Sequence, residues 1–368
     1  MAADHLPLRR IDYVKFFVGN ARQSAYFYRN AFGFDVIGYG GLETGMKNEA
    51  GYVLRQGHIT LVLVSPLNSD HPENDRLMLH GDGVKDVALE VENVGAAYEA
   101  TISRGATSVV EPTVIQDDDG IYEYATIMTY GDTRHTFVNH DQYKGVFAPG
   151  YRPIDPARYR EETRRPVGLK AIDHIVGNVE LGKMDEWVHF YEHVMGFTQL
   201  VHFDDNDIST EYSALMSKVV QNGNGRIKFP INEPAHGVRK SQIDEYLDFY
   251  NGPGVQHIAM ITGDIIETVS AMADNDVSFL FVPDSYYDAL QDRIGNIDED
   301  MARVAELGIL VDRDEEGYLL QIFTKPVEDR PTVFFEVIQR HGSRGFGVGN
   351  FKALFEAIER EQDIRGTL

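Results

Sequence analysis

The amino-acid sequence predicts an α+β chain built from two tandem copies of one unit, and three pairs of matching segments predict it. LRRIDYVKFFVGN at residues 8–20 matches LKAIDHIVGNVEL at 169–181. GVKDVALEV at 83–91 matches GVQHIAMIT at 254–262, and DTRHTFVNH at 132–140 matches DRPTVFFEV at 329–337. The pairs run in the same order at similar separation, as a duplication would leave them.

Each element follows from local pattern. The segments opening each copy are rich in β-branched and aromatic residues, as strands are. They lead into FYRNAFGF (27–34) and FYEHVMGF (190–197), amphipathic helices ending at Gly33 and Gly196, where a C-cap favours positive φ. The second pair reads as strands running into the helices AAYEATISRG and ETVSAMADND, and the third pair as late strands. The unit boundaries are 8–145 and 169–368. Residues 146–168, with Pro149, Pro153, Pro156 and Pro166 among many charges, read as a linker. In the last stretch, Phe351, Leu354, Phe355 and Ile358 fall on one face, which predicts a helix that caps something.

A length of 368 residues suits two domains at roughly 150 residues each. A hydrophobic fraction of 43% and 11% aromatics are those of a folded globular protein. The net charge of −24 argues against nucleic acid or an anionic membrane as partner. There is no cysteine, so disulfides, thiolate metal sites and a cysteine nucleophile are excluded, and any metal must be held by His, Asp or Glu. No apolar run approaches the ~20 residues of a membrane span, and MAADHLPLRR lacks the apolar core of a signal peptide, so the expected location is cytoplasmic.

The copies differ where chemistry would sit. Where the first has Tyr13, Asp86 and Asn139, the second has His174, His257 and Glu336. Two imidazoles and a carboxylate on three strands form the facial triad of a non-haem Fe(II) site, which leaves about three positions open. Other motifs carry less. HFYEH at 189–193 fits a zinc-protease pattern, but the first copy has FYRN there, so these residues read as a shared scaffold facing solvent. GFGVGNF at 345–351 lacks the context of a phosphate loop and reads as a mobile loop. QDDDG at 116–120 reads as a solvated turn, and Asp298, Glu299 and Asp300 as the charged start of a helix.

IDHIVGNV, FPINEP, KSQIDEYL, GVQHIAM, QIFTKP, DRPTVFFEVIQR and GFGVGNF together make the chain resemble the 4-hydroxyphenylpyruvate dioxygenases of the vicinal-oxygen-chelate superfamily. The resemblance implies paired βαβββ modules forming open, barrel-like sheets, with metal in the C-terminal half only and a final helix gating the pocket. It implies one Fe(II) per subunit on His174, His257 and Glu336, chelated by the 2-oxoacid of 4-hydroxyphenylpyruvate, with O₂ as co-substrate. Loss of CO₂, ring hydroxylation and side-chain migration would give homogentisate. Ser213, Asn232, Gln242, Gln256 and Gln321 match the polar residues near the phenol and the metal. Phe323, Phe334, Phe346, Asn350 and Phe351 match the substrate pocket. A homodimer or homotetramer is implied as well. The rivals are a 4-hydroxymandelate synthase, against which the bulky Phe351 argues, an extradiol catechol dioxygenase, and a non-catalytic binding module, against which the intact triad argues.

Overall fold

The computed structural model describes residues 5–154, 167–203, 214–235, 237, 239–288 and 290–368. Its first half contains strands β1 (Leu8–Phe17), β2 (Asp35–Gly40), β3 (Glu49–Gln56), β4 (Ile59–Pro66), β5 (Gly83–Val91), β6 (Ser108–Asp117), β7 (Gly120–Met128), β8 (Arg134–Asn139) and the short β9 (Arg152–Pro153). Helices α1 (Ala21–Ala31), α2 (Glu73–His80) and α3 (Val94–Ile102) connect them. The second half repeats the plan with β10 (Leu169–Asn178), β11 (Thr198–Phe203), β12 (Ala214–Gln221), β13 (Lys228–Ala235), β14 (Gly254–Thr262), β15 (Leu310–Arg313), β16 (Tyr318–Phe323) and β17 (Phe334–His341). Its helices are α4 (Met184–His193), α5 (Gln242–Tyr250), α6 (Ile265–Asp274), the short α7 (Ser285–Asp288), α8 (Leu290–Ile294) and α9 (Met301–Glu306), and a final α10 (Phe351–Arg365).

The strand orders are β6-β7-β8-β5-β1-β4-β3-β2-β9 and β11-β12-β13-β10-β14-β17-β16-β15. Each sheet is therefore two βαβββ modules placed side by side, with the first strand of a module parallel to its fourth. The modules join through antiparallel pairs of first strands, β1 with β5 and β10 with β14. The crossover helices start where sequence chemistry dictates: Asn20, Asn93 and Asp264 each accept a hydrogen bond from a backbone N–H in the first turn of α1, α3 and α6. Gly33 and Gly196 follow α1 and α4 with φ of 72° and 71°, as the repeated Gly predicts.

One apolar core spans both halves. Tyr28 and Phe32 of α1 meet Phe335 of β17 at ring distances of 5.7 and 4.9 Å, and His135 of β8 bonds the Tyr191 hydroxyl of α4 at 2.8 Å. The helices thus pack on the sheets of their own halves, and α1 and α4 also reach strands of the other half. Burying a ring such as Phe335 contributes about 1.5–3 kcal/mol.

The other faces of the two sheets differ. In the first half that face is filled by Tyr13, Phe17, Tyr122, Tyr143, Phe147 and Tyr151. Two of these, Phe147 and Tyr151, come from the segment read as linker, whose β9 also adds to the sheet through Tyr39 and Arg152. In the second half the face is left open beneath α10, where Phe355 and Ile358 are buried. Arg365 pins that helix to Glu245 of α5 at 2.8 and 3.0 Å.

The lesser motifs resolve simply. His189, Glu192 and His193 are exposed on α4, and the acidic turn joins β6 to β7 at the surface. Asp300 caps α9. The GFGVGNF loop is pinned, contrary to the expectation of mobility. Gly347 (φ 74°) lies so close to Gln321 that a Cβ would meet its Oε1 at 2.5 Å, and the Gly349 N–H donates to Asp312 at 3.0 Å. Its glycines serve close approach.

Candidate metal centre

The three predicted ligands converge because of sheet register. Ala259 of β14 pairs with His174 on one side and Glu336 on the other, and His257 lies two residues before it on the same face. The small Ala259 side chain leaves room between them. His174 Nε2 lies 3.1 Å and His257 Nε2 3.4 Å from Glu336 Oε2. All three donor atoms fall within 4.8 Å of one another, the single such cluster among the described residues. The side chains are buried, at 3%, 8% and 3% exposure.

The outer ring nitrogens are partnered. His174 Nδ1 meets Asp173 Oδ2 at 2.8 Å, and His257 Nδ1 meets Gln256 Oε1 at 3.0 Å. A bulge between Ile172 and His174 sets Asp173 beside its neighbour's ring. Both partners can accept from Nδ1, an arrangement that would leave each Nε2 to ligate a metal held at the centre. Arg340 clasps Asp173 through Nε at 2.8 Å and Nη2 at 2.7 Å. Burial alone would raise the Glu336 carboxyl, but the histidines outweigh it and hold it down to about 2. Burial lowers His257. It also acts to lower His174, yet Glu336 and Asp173 raise that imidazole overall.

The triad opens on a chamber walled largely by apolar and aromatic side chains. Phe334 stacks on His257 at 4.9 Å, Phe323 meets the same ring edge-on at 5.9 Å, and Phe346 meets His174 at 5.2 Å. Asn232, Gln242, Gln256 and Gln321 line it, as does Phe351 at the start of α10. Gln321 is 1% exposed, and its Oε1 has no hydrogen-bond partner.

Not every expected residue is there. Asn350 does not line the chamber: its Oδ1 accepts from Tyr286 at 2.6 Å and Arg293 at 3.2 Å, which anchors the base of α10. Ser213 lies outside the described residues. Among the described residues the wall contains Ser217, opposite Asn232 in the β12–β13 ladder, and sequence reasoning missed it. Its signal was the alternation of Leu215, Ser217 and Val219, all of which face the chamber. Phe203, Leu354 and Phe355 were also missed as wall residues.

The first half required one correction. Arg134 pairs with Asp86 as Phe334 pairs with His257, so Thr136, not Asn139, stands where Glu336 stands. Thr136 donates to Asp86 through N at 3.0 Å and Oγ1 at 2.6 Å, and Tyr13 donates to it at 3.3 Å. Asn139 instead donates to the carbonyls of Val91 and Glu92. Burial raises the Asp86 carboxyl. The degenerate site is closed by its own hydrogen bonds.

Comparison with known proteins agrees with this architecture. Residues 10–123 and 171–322 match the glyoxalase/bleomycin resistance protein/dioxygenase superfamily, one stretch in each half. The chain is 49% identical to a 4-hydroxyphenylpyruvate dioxygenase of Dictyostelium discoideum, over 97% of this chain and 99% of that one. It is 49% identical to one of Caenorhabditis elegans, over 97% and 93% of the two chains. Among solved structures, a mutant of 4-hydroxymandelate synthase from Streptomyces coelicolor superposes with a TM-score of 0.87 at 33% identity, over 97% of this chain and 100% of that one. No described helix is long and apolar enough to cross a membrane.

Proposed function

The chain belongs to the 4-hydroxyphenylpyruvate dioxygenase family, and from that premise we propose that it converts 4-hydroxyphenylpyruvate and O₂ to homogentisate and CO₂ with one Fe(II) per subunit. The observation that carries this is the buried His174–His257–Glu336 triad opening on an aromatic chamber with neutral polar walls. The donor set fits such a metal: two imidazoles with their Nδ1 protons engaged, and a carboxylate within 3.4 Å of both Nε2 atoms. When bound there, Fe(II) supplies chelation of the substrate's 2-oxoacid and activation of O₂.

The chain's own residues supply the rest. Phe323 and Phe334 form aromatic walls beside the triad, where an aromatic ring fits by stacked or edge-on contact. Ser217, Asn232, Gln242 and Gln321 offer hydroxyl and amide groups to a neutral phenol without adding charge. Phe346, Phe351, Leu354 and Phe355 close the chamber from the α10 side and exclude water from a reactive oxidant. Asp173 and Gln256 keep both imidazoles in the ligating tautomer.

Metal-free protein given Fe(II), 4-hydroxyphenylpyruvate and air should yield homogentisate by chromatography. Hydroxymandelate as the product would assign the rival activity, and tight binding without turnover would assign a binding module. We further take the chain to be a cytoplasmic homodimer or homotetramer with no nucleic-acid or membrane partner, which sedimentation and cell fractionation would check.

A further inference from the structure

Resting on the metal assignment above, we infer that Arg340 is a positioning residue that ties the His174 imidazole to the loop carrying α10. Its guanidinium faces two ways. Nε and Nη2 hold both oxygens of Asp173, at 2.8 and 2.7 Å, and Asp173 Oδ2 accepts the His174 Nδ1 proton at 2.8 Å. Nη1 donates to the carbonyls of Ser343 at 3.3 Å and Gly345 at 2.7 Å. The next residue closes the circuit: the Phe346 ring lies 5.8 Å from the guanidinium carbon and 5.2 Å from the His174 ring. Arg340, Asp173, His174 and Phe346 thus form a ring of contacts, and α10 begins five residues beyond it at Phe351. Displacing the loop moves the cation that orients a metal ligand.

The first half separates this role from mere scaffolding. There Asp12 and His140 occupy the positions of Asp173 and Arg340, and they pair at 2.7 Å. A side-chain nitrogen bonded to this carboxylate therefore belongs to both copies. What the second half adds is the imidazole on one side of the carboxylate and the two loop carbonyls beyond the cation. A guanidinium can serve both together, because it has five donors in a fixed plane.

The test loads metal-free protein with Co(II), whose absorption spectrum reports its ligands, and in parallel follows trypsin cleavage after Arg344 and Lys352. Arg340→Gln should weaken Co(II) binding by about 10–100-fold, alter the spectrum and speed cleavage. Arg340→Lys keeps the charge but cannot span both groups, so it should recover part of the affinity while cleavage stays fast. His140→Gln breaks the counterpart pair and should lower Tm with Co(II) affinity and spectrum unchanged. Should Arg340→Gln fail to fold, Asp173→Asn carries the test at the imidazole end, with affinity lost and cleavage unchanged. Parent-like affinity and spectrum in Arg340→Gln overturn the inference, as does an equal affinity loss in His140→Gln. A parent protein that binds no Co(II) overturns the metal assignment itself and the inference with it.

Discussion

Tyr13, Asp86 and Thr136 in the first half stand at the same ladder positions as His174, His257 and Glu336 in the second, yet the outcomes are opposite. The first trio bonds within itself, and aromatic rings fill the space above it. The second trio points its donor atoms at a shared point, and the space above stays open under α10. A metal site therefore requires more than donors at the right positions. It requires that nothing else satisfies them and that the cavity stays empty, two conditions set by residues far from the ligands.

The largest effect should come from undoing the difference at the carboxylate. Glu336→Gln keeps the shape but removes the charge between the histidines, and turnover should fall by more than the ~100-fold that loss of an outer partner costs. A variant with parent activity, measured by homogentisate formation, would break the assignment.

Next come the two aromatic fillings. Phe147 is 6% exposed in the filled half, so Phe147→Ala should cost about 3–5 kcal/mol in chemical denaturation while leaving kcat near the parent value. Phe351 is half-buried and lines the open chamber, so Phe351→Ala should cost less stability but move product from homogentisate toward hydroxymandelate. Equal effects of the two on chemistry would erase the distinction between the halves.

A smaller effect concerns the bolt between the halves. Asp132 accepts from Arg76 at 2.9 Å and Lys85 at 3.1 Å, and Arg76 also donates to Tyr250 of α5 at 2.7 Å. Burial would raise the Asp132 carboxyl, but His80, Arg76 and Lys85 outweigh it and hold it below its usual 3.8. A depressed carboxyl stabilises fully above its unfolded value and loses that contribution as pH falls below 3.8. Asp132→Asn should therefore lower stability by about 1.5–3 kcal/mol at pH 7 and flatten the acid limb of a Tm-against-pH profile. An unchanged acid limb would place the acid sensitivity elsewhere.

The smallest expected effect is at Gly347. Gly347→Ala forces a side chain into left-handed backbone and against Gln321, at a cost of about 1–2 kcal/mol. KM should rise, because Gln321 must shift in the chamber wall. An unchanged KM would show that the loop yields instead.

Much of this was legible in the sequence, for physical reasons. Strand and helix periods repeat with the duplication, and a Glu within VFFEVI stands out because a buried carboxylate needs a cation or donors. The match of Asn139 to Glu336 failed because ladder register, not letter similarity, decides which side chain faces the chamber. A slip of three residues also reverses the face. Ser217 was missed because an alternating serine looks like any strand residue until its wall is assembled.

By itself the sequence determined the two copies, the capped crossover helices and the chemical identity of the ligands, since each depends on local pattern or residue type. Only the tertiary structure decided that Ala259 brings His174 and Glu336 face to face, that one half is filled and the other open, and that Arg340 reaches both Asp173 and the loop before α10. Those outcomes depend on strand pairing and on the summed volume of side chains distant in sequence, and no local window contains either.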